Sequence, residues 1–413
     1  MNYGARTPVV TGIGTINALG NSVPEFWDNL IAGKAGFRRF QNIDVGDYAI
    51  QVGAEVDLPE PSSVGLAKKE LRRFDRFIIH SFIAAREAIG DAGIGEAEDK
   101  ERIGVLIATG DGGLGTHEKH IPAVYDRGMH TVPPYYVVSC IPNTGSAFVA
   151  IKFGFKGPNF SVSSACASSN HAMGMAKLML EAGLCDTIVV GGAEAVATKV
   201  SIAAFGNIGA LAPGWTENPS EASRPFDRDR NGFVMGEGAG ALVLETRERA
   251  EARGAKMYAA LTGFGCSADA YDFVAPDPSA DGIKRSMQGA MEMAGVAPSD
   301  IGLVNAHATA TVAGDIAESR AIAELFGAHK PWVQSTKSMT GHIIGGTGAV
   351  EAVAALLAFE KNIVHPTINC PNMDPEIDVR ITPVAAEDGS ITHIVSNGFG
   401  FGGQNATVVL SRV

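Results

Sequence analysis

Two stretches decide the fold: FSVSSACASSNHAMGMAKLMLEAG at Phe160–Gly183 and VQSTKSMTGHIIGGTGAVEAVAALLAFEKN at Val333–Asn362. Each reads as a short strand, a turn of small residues and then a helix that is apolar nearly all round. A helix without a polar face belongs at the centre of a layered structure, between sheets. The flanking segments repeat in the same order. TGIGTINALG at Thr11–Gly20 is echoed by TGFGCSADAY at Thr262–Tyr271, and RIGVLIATGDGGLG at Arg102–Gly115 by DIGLVNAHATATVAGD at Asp300–Asp315. GEGAGALVLE at Gly236–Glu245 is echoed by GFGGQNATVVLS at Gly400–Ser411. The chain therefore reads as a duplicated α/β unit, residues 1–255 and 256–413, with its joint near Arg253–Met257.

β-branched runs ending in small residues mark strands at Thr7–Thr11, Ile103–Ala108, Asn159–Ser163, Thr187–Gly191 and Ala241–Glu245 in the first half. Tyr258–Gly263, Ile301–Asn305, His393–Ser396 and Thr407–Ser411 do so in the second. Helices are expected at Val23–Ala32, Phe77–Ala92, Ser168–Ala182, Gly282–Ala294, Asp315–Phe326 and Gly348–Glu360. The result is an α/β fold layered α-β-α-β-α around two buried helices.

At 413 residues, with 46% hydrophobic and 19% charged residues, the chain is an ordinary folded protein of more than one unit. A net charge of -12 argues against nucleic acid as a general partner. No apolar stretch suits a membrane span, and MNYGARTPVV runs directly into a strand with no signal-peptide core. Five cysteines without a CxxC pair indicate free thiols in a reducing, cytoplasmic setting.

Cys166 is the sharpest position. It stands between a strand and the first buried helix, where the helix N-terminus favours a thiolate, and Ala165, Ala167, Ser168 and Ser169 leave room for a substrate. Cys140, Cys185, Cys266 and Cys370 read as small buried hydrophobes. In the second half His307 follows a strand, and His342 and Lys337 precede the second buried helix. His117 and His120 form an H-x-x-H without a third ligand, so no metal site is expected. His171 is expected to point away from the Cys166 end of its helix. Gly110–Gly115 matches GxGxxG, a weak fingerprint for a nucleotide-dependent oxidoreductase. GFGFGGQN at Gly398–Asn405 reads as a hairpin turn whose N–H groups can face a reacting oxygen.

This constellation resembles the β-ketoacyl-acyl carrier protein synthases, the condensing enzymes, in their elongating branch. The motifs that carry the resemblance are SSACASSNHA, ASRPFDRDRNGFVMGEGAGALVLE, VNAHATAT, STKSMTGHIIGGTGAVEA and SNGFGFGGQN, in order over essentially the whole chain. The resemblance implies a thiolase-like fold and a decarboxylative condensation of an acyl group on Cys166 with a malonyl thioester. It makes His307 and His342 the pair that promotes decarboxylation, with Lys337 and Glu351 ordering the site and Asp315 supporting it. Thr309 and Thr311 meet the phosphopantetheine arm, and Phe205 and Phe399 line the substrate site. Phe401 is the gating residue whose N–H shares the oxyanion hole with that of Cys166. No cofactor is bound by the enzyme; phosphopantetheine comes on an acyl carrier protein. The resemblance also implies a homodimer.

Several positions depart from that pattern. Ala308 stands where glycine is usual, so an ordinary φ is expected there. Ala310 and Val312 replace a serine and a proline, and Gln404 a threonine. Asp111 replaces a hydrophobic lining residue, and Tyr135 and Tyr136 stand where phenylalanines are common. Asp111 beside an alkyl chain implies a pocket for a shorter, polar or unusual acyl group, unless it turns to solvent. This keeps a polyketide or unusual-lipid ketosynthase as the alternative. Lys68, Lys69, Arg72, Arg73 and Arg76 on one helix form the expected docking patch for an acidic carrier.

Overall fold

The computed structural model describes residues 4–97 and 99–413. The reading of the N-terminus as leaderless begins on residues 1–3, which lie outside the described residues.

The first half contributes β1 (Pro8–Asn17), β2 (Ile103–Ala108), β3 (Asn159–Phe160), β4 (Thr187–Glu194) and β5 (Gly238–Thr246). The second contributes β6 (Ala259–Ala268), β7 (Ile301–Asn305), β8 (Trp332–Gln334), β9 (His393–Gly400) and β10 (Gln404–Ser411). The order β3-β2-β4-β5-β1 in one half is matched by β8-β7-β9-β10-β6 in the other. Parallel and antiparallel pairings agree as well: β2 lies parallel to β3 and β4, as β7 does to β8 and β9. β5 lies antiparallel to β4 and β1, as β10 does to β9 and β6. Only Val9–Ala260 and Val10–Ala259 pair β1 with β6, so two half-sheets meet along a short seam.

The helices that matter here are α1 (Arg76–Ala92), α2 (Ser168–Glu181), α3 (Asp281–Ala294), α4 (Val312–Phe326) and α5 (Thr347–Lys361). α2 packs on β2, β4 and β5 of its own half and on β6, β9 and β10 of the other. α5 lies beside α2 and packs on β5, β4 and β9. α1 covers the outer face of the first half-sheet and α3 that of the second, with α4 against α3. The layering is that expected from the two apolar helices. Thr347–Phe359 of α5 is buried throughout, whereas Met175 and Leu178 of α2 reach the surface. Burying side chains such as Val353, Leu356 and Phe359 contributes about 1.5–3 kcal/mol each.

The repeated TGxG motif has a packing cause. A Cβ on Gly12 or Gly14 would lie 2.2 Å from Ala88 O or 2.1 Å from Ala84 O, both on α1. On Gly263 or Gly265 it would lie 2.0 Å from Ala290 O or 2.1 Å from Ser286 O, both on α3. In each half the first strand therefore touches the backbone of its outer helix.

Some expectations change. The strand expected at Asn159–Ser163 ends at Phe160, because the chain turns there to place Ser164 beside Cys166. Helices at Leu114–Arg127, Thr144–Phe153 and Lys199–Asn207 were not expected. Cys266 is exposed, because β6 extends beyond its cover, and Cys370 is half-buried. Among the described residues no helix is long and apolar enough to cross a membrane.

Gly265→Ala forces α3 away from β6. Overpacking of this kind costs about 1–3 kcal/mol, so the melting temperature falls by several degrees. An unchanged melting curve contradicts the close approach.

Candidate active site

Cys166 lies between β3 and α2, two residues before the helix. The residue before it, Ala165, has φ +49, a left-handed conformation that costs a side-chain-bearing residue about 1–2 kcal/mol. That turn is held by Ser168, whose hydroxyl donates to Ala165 O and accepts from Ser164 N. His171 also reaches back to it, Nδ1 lying 2.8 Å from Ser164 Oγ. The expectation that His171 points away is therefore wrong; side chains on a helix lean toward its N-terminus.

His342 comes from the other half, yet its backbone is fixed by the first. Its N–H donates to Val234 O and its carbonyl accepts from Gly236 N, both 2.8–2.9 Å. Its Nε2 lies 2.9 Å from Cys166 Sγ, and its Nδ1 meets Thr347 Oγ1 at 2.9 Å. His307 stands at the end of β7, its N–H donating to Glu318 Oε1 (2.8 Å). The two imidazoles lie 5.3 Å apart, edge to face. Cys166, His307 and His342 offer ligand atoms within 4.8 Å of one another, the one group among the described residues spaced closely enough to hold a metal ion.

The three share a cleft lined also by Phe205, Phe399 and Phe401, with Thr309 and Thr311 on its approach. Phe205 stacks on Phe401 (5.9 Å), and Phe399 meets the edge of His307 (5.7 Å). Phe401 occupies the β9–β10 hairpin turn, and its N–H is directed at the sulfur. Gly400 packs on the Cys166 amide: a Cβ there would lie 3.2 Å from Cys166 N. One backbone donor, the Phe401 N–H, thus faces the sulfur.

Lys337 and Glu351 form a buried pair at 2.6 Å, each side chain 1% exposed. Burial pushes Glu351 up to about 7, against the pull of Lys337. Burial, with the Lys337 charge second, holds both imidazoles well below their ordinary range, so they rest neutral. The thiolate expected at Cys166 is not the resting form. Burial pushes this thiol up to about 12, and Lys337 and the Phe401 N–H only partly offset it. The arrangement therefore supplies a neutral thiol with an imidazole at hydrogen-bond distance to take its proton during attack.

Asp315 does not reach the cleft. It braces the loop before α4, accepting from Ala310 N (3.1 Å) and Phe226 N (2.8 Å), and burial pushes it up to about 7. In that loop Ala308 has φ +21 and Ala310 φ +67, which corrects the ordinary φ expected at Ala308. Buried carboxylates accept both amides, Glu318 that of Ala308 and Asp315 that of Ala310, and hold the strain.

Asp111 is exposed and absent from the cleft lining, although its charge raises the Cys166 thiol. Lys68, Lys69, Arg72 and Arg73 are exposed on the helix Lys68–Arg73, Arg73 stacking on Tyr135 at 4.7 Å. Arg76 instead turns inward to Glu237 (2.8 Å) and Val56 O. The Gly110–Gly115 run is explained without a nucleotide. A Cβ on Gly112 or Gly113 would meet Cys140 O (2.9 Å) or Ser139 O (2.2 Å), so these glycines admit the protein's own backbone. His117 Nδ1 bonds Tyr136 OH at 2.7 Å. Sequence reasoning missed Phe233, whose ring edges His342 at 5.1 Å, as well as Thr347 and Glu318. Phe233 lay inside a quoted motif; Glu318 carried no local signal.

A thiol, two imidazoles and an aimed backbone donor on a duplicated α/β fold define an acyltransferase that works through a cysteine. The β-ketoacyl synthase N-terminal domain model matches residues 6–250 and the C-terminal domain model residues 258–371. The chain is 40% identical over 411 residues to 3-oxoacyl-[acyl-carrier-protein] synthase 2 of Coxiella burnetii, covering 99% of each. It is 41% identical over 407 residues to the protein of that name from Staphylococcus aureus strain COL, covering 98% of each. It also superposes on the ketosynthase structure AntDE:AntF, a type II polyketide synthase acyl-carrier protein in complex with its ketosynthase bound to the hexaketide. There the TM-score is 0.92 at 29% identity, covering 99% of this chain and 100% of that one. The chain belongs to the β-ketoacyl synthase family.

Lys337→Met leaves Glu351 buried without its cation. Removing one partner of such a pair typically costs about 3–5 kcal/mol, so the urea midpoint falls sharply. The Lys337→Met/Glu351→Leu double variant recovers most of the loss. A single variant as stable as the native chain contradicts the pairing.

Proposed function

We propose that this chain condenses an acyl group held on Cys166 with malonyl-acyl carrier protein, releasing CO2, as a 3-oxoacyl-[acyl-carrier-protein] synthase of fatty acid elongation. The observation that carries the reading is the 2.9 Å contact between Cys166 Sγ and His342 Nε2 in a cleft that His307 also faces.

In the first half-reaction the Cys166 sulfur attacks the acyl thioester and its proton passes to His342. The tetrahedral oxyanion is received by the N–H groups of Cys166 and Phe401; one such donor is worth about 3–4 kcal/mol of barrier. The carrier leaves as its thiol, taking up the proton, and the acyl group remains as a Cys166 thioester. In the second, malonyl thioester loses CO2 and its C–C electron pair becomes an enolate. His307 gives an N–H to the enolate oxygen, and His342 does so from Nε2 in the tautomer whose Nδ1 accepts from the Thr347 hydroxyl. The enolate carbon attacks the acyl–Cys166 carbonyl, the C–S bond breaks, the β-ketoacyl carrier leaves, and the released sulfur takes up one proton from solvent to restore the thiol. Lys337, paired with Glu351, disfavours a second positive charge and keeps the imidazoles neutral. Thr309 and Thr311, with hydroxyls 3.0 Å apart on the approach, receive the phosphopantetheine arm that the carrier supplies.

The Lys68–Arg73 face suits an acidic carrier on an otherwise acidic protein. The exposed apolar residues Tyr125, Met129, Val137 and Ile151 suit a homodimer face. Five free thiols fit a reducing compartment such as the cytoplasm. The superposition on the AntDE:AntF ketosynthase supports a second reading, a ketosynthase of a polyketide or unusual-lipid pathway; Asp111, exposed and off the cleft wall, does not carry it.

Intact mass spectrometry with a panel of acyl carriers tests both readings. The native chain gains one acyl group and Cys166→Ala gains none; an adduct on Cys166→Ala overturns the assignment. Preference for polar or short chains over long alkyl chains selects the second reading. Arg72→Glu/Arg73→Glu raises the apparent KM for the carrier several-fold at low salt, more than for pantetheine thioesters. An unchanged carrier KM removes the patch.

A further inference from the structure

Glu194, at the end of β4, is fully buried and has no part in the chemistry above. Its carboxylate gathers donors from two separate turns. One oxygen accepts from Thr109 Oγ1 (2.7 Å) and Asp111 N (3.3 Å), the other from Gly110 N (2.7 Å) and Gly345 N (3.1 Å). The first turn follows β2; the second follows His342.

The two turns are in contact. A Cβ on Gly345 would lie 2.3 Å from Gly110 N, and one on Gly110 would lie 3.0 Å from Ile344 Cγ2. Ile344 lines the cleft with Cys166 and has φ +43. A β-branched residue in the left-handed region is a genuine outlier; such strain costs about 1–3 kcal/mol and persists only where the surroundings over-determine it. The surroundings here do so: the next amide, Gly345 N, is held by Glu194, and the next carbonyl, Gly345 O, by Ser169 Oγ.

We propose that Glu194 is a positioning residue that clamps the Thr109–Asp111 turn against strained Ile344, fixing the cleft wall beside Cys166 and thereby which acyl chain lengths load. This deepens the acyl-transfer reading and rests on it. All four groups facing the carboxylate are donors. Burial and the nearby Asp111 push its carboxyl up to about 8, while those donors favour the ionised form. A glutamine in its place has one oxygen for two sets of amides and sets its own NH2 against N–H groups.

The test is the rate of Cys166 acylation by acetyl-pantetheine and octanoyl-pantetheine, read by intact mass. In Glu194→Gln the octanoyl-to-acetyl rate ratio shifts by roughly tenfold or more. A ratio within twofold of the native value overturns the inference, including the case where both rates fall together, which is what loss of general stability produces. If Glu194→Gln does not fold, Thr109→Val, which removes one donor, is read in the same way. If the native chain acylates with neither thioester, the acyl-transfer reading fails; if it acylates and the ratio holds, only the role of Glu194 fails.

Discussion

The contact between Cys166 and His342 joins residues 176 positions apart, one from each half of a duplicated chain. Every larger feature serves that meeting. α2 and α5 start side by side because both are apolar enough to lie between two half-sheets, and the turns that lead into them carry the thiol and the imidazole. The half-sheets share only two paired positions on each side of the seam, so the central helices rather than the ladder align the two halves.

Burial sets the electrostatics of this centre. In water a thiol and two imidazoles titrate near neutrality. Here the missing solvent drives the thiol up and both imidazoles down, and all three rest neutral. Lys337, the buried cation nearest this centre, is matched by Glu351 at 2.6 Å. The Phe401 N–H and the two imidazoles face the sulfur from the other half.

Much of this was legible in the residues. The TGxG repeats, the two apolar helices and the isolated Cys166 pointed to the two matched half-sheets and to the turn that opens on the cleft, because each reflects a local demand: close backbone approach, burial or a small-residue turn. The unread parts depend on neighbours distant in the chain. The protonation of Cys166 follows from desolvation, which no helix-terminus argument contains. The φ of Ala308 and Ala310 is imposed by Glu318 and Asp315, two carboxylates on α4 with no marking motif. Arg76 looked like a surface cation until Glu237, from the strand-like segment before β5, claimed it.

The segment that fixes His342 belongs to the opposite half: Val234 and Gly236 bracket its backbone like an added strand. Each repeat therefore holds an unfinished catalytic apparatus whose missing support is encoded in its twin. Severing the polypeptide between residues 253 and 257 would yield two fragments, neither competent alone, and function would return only on reassembly.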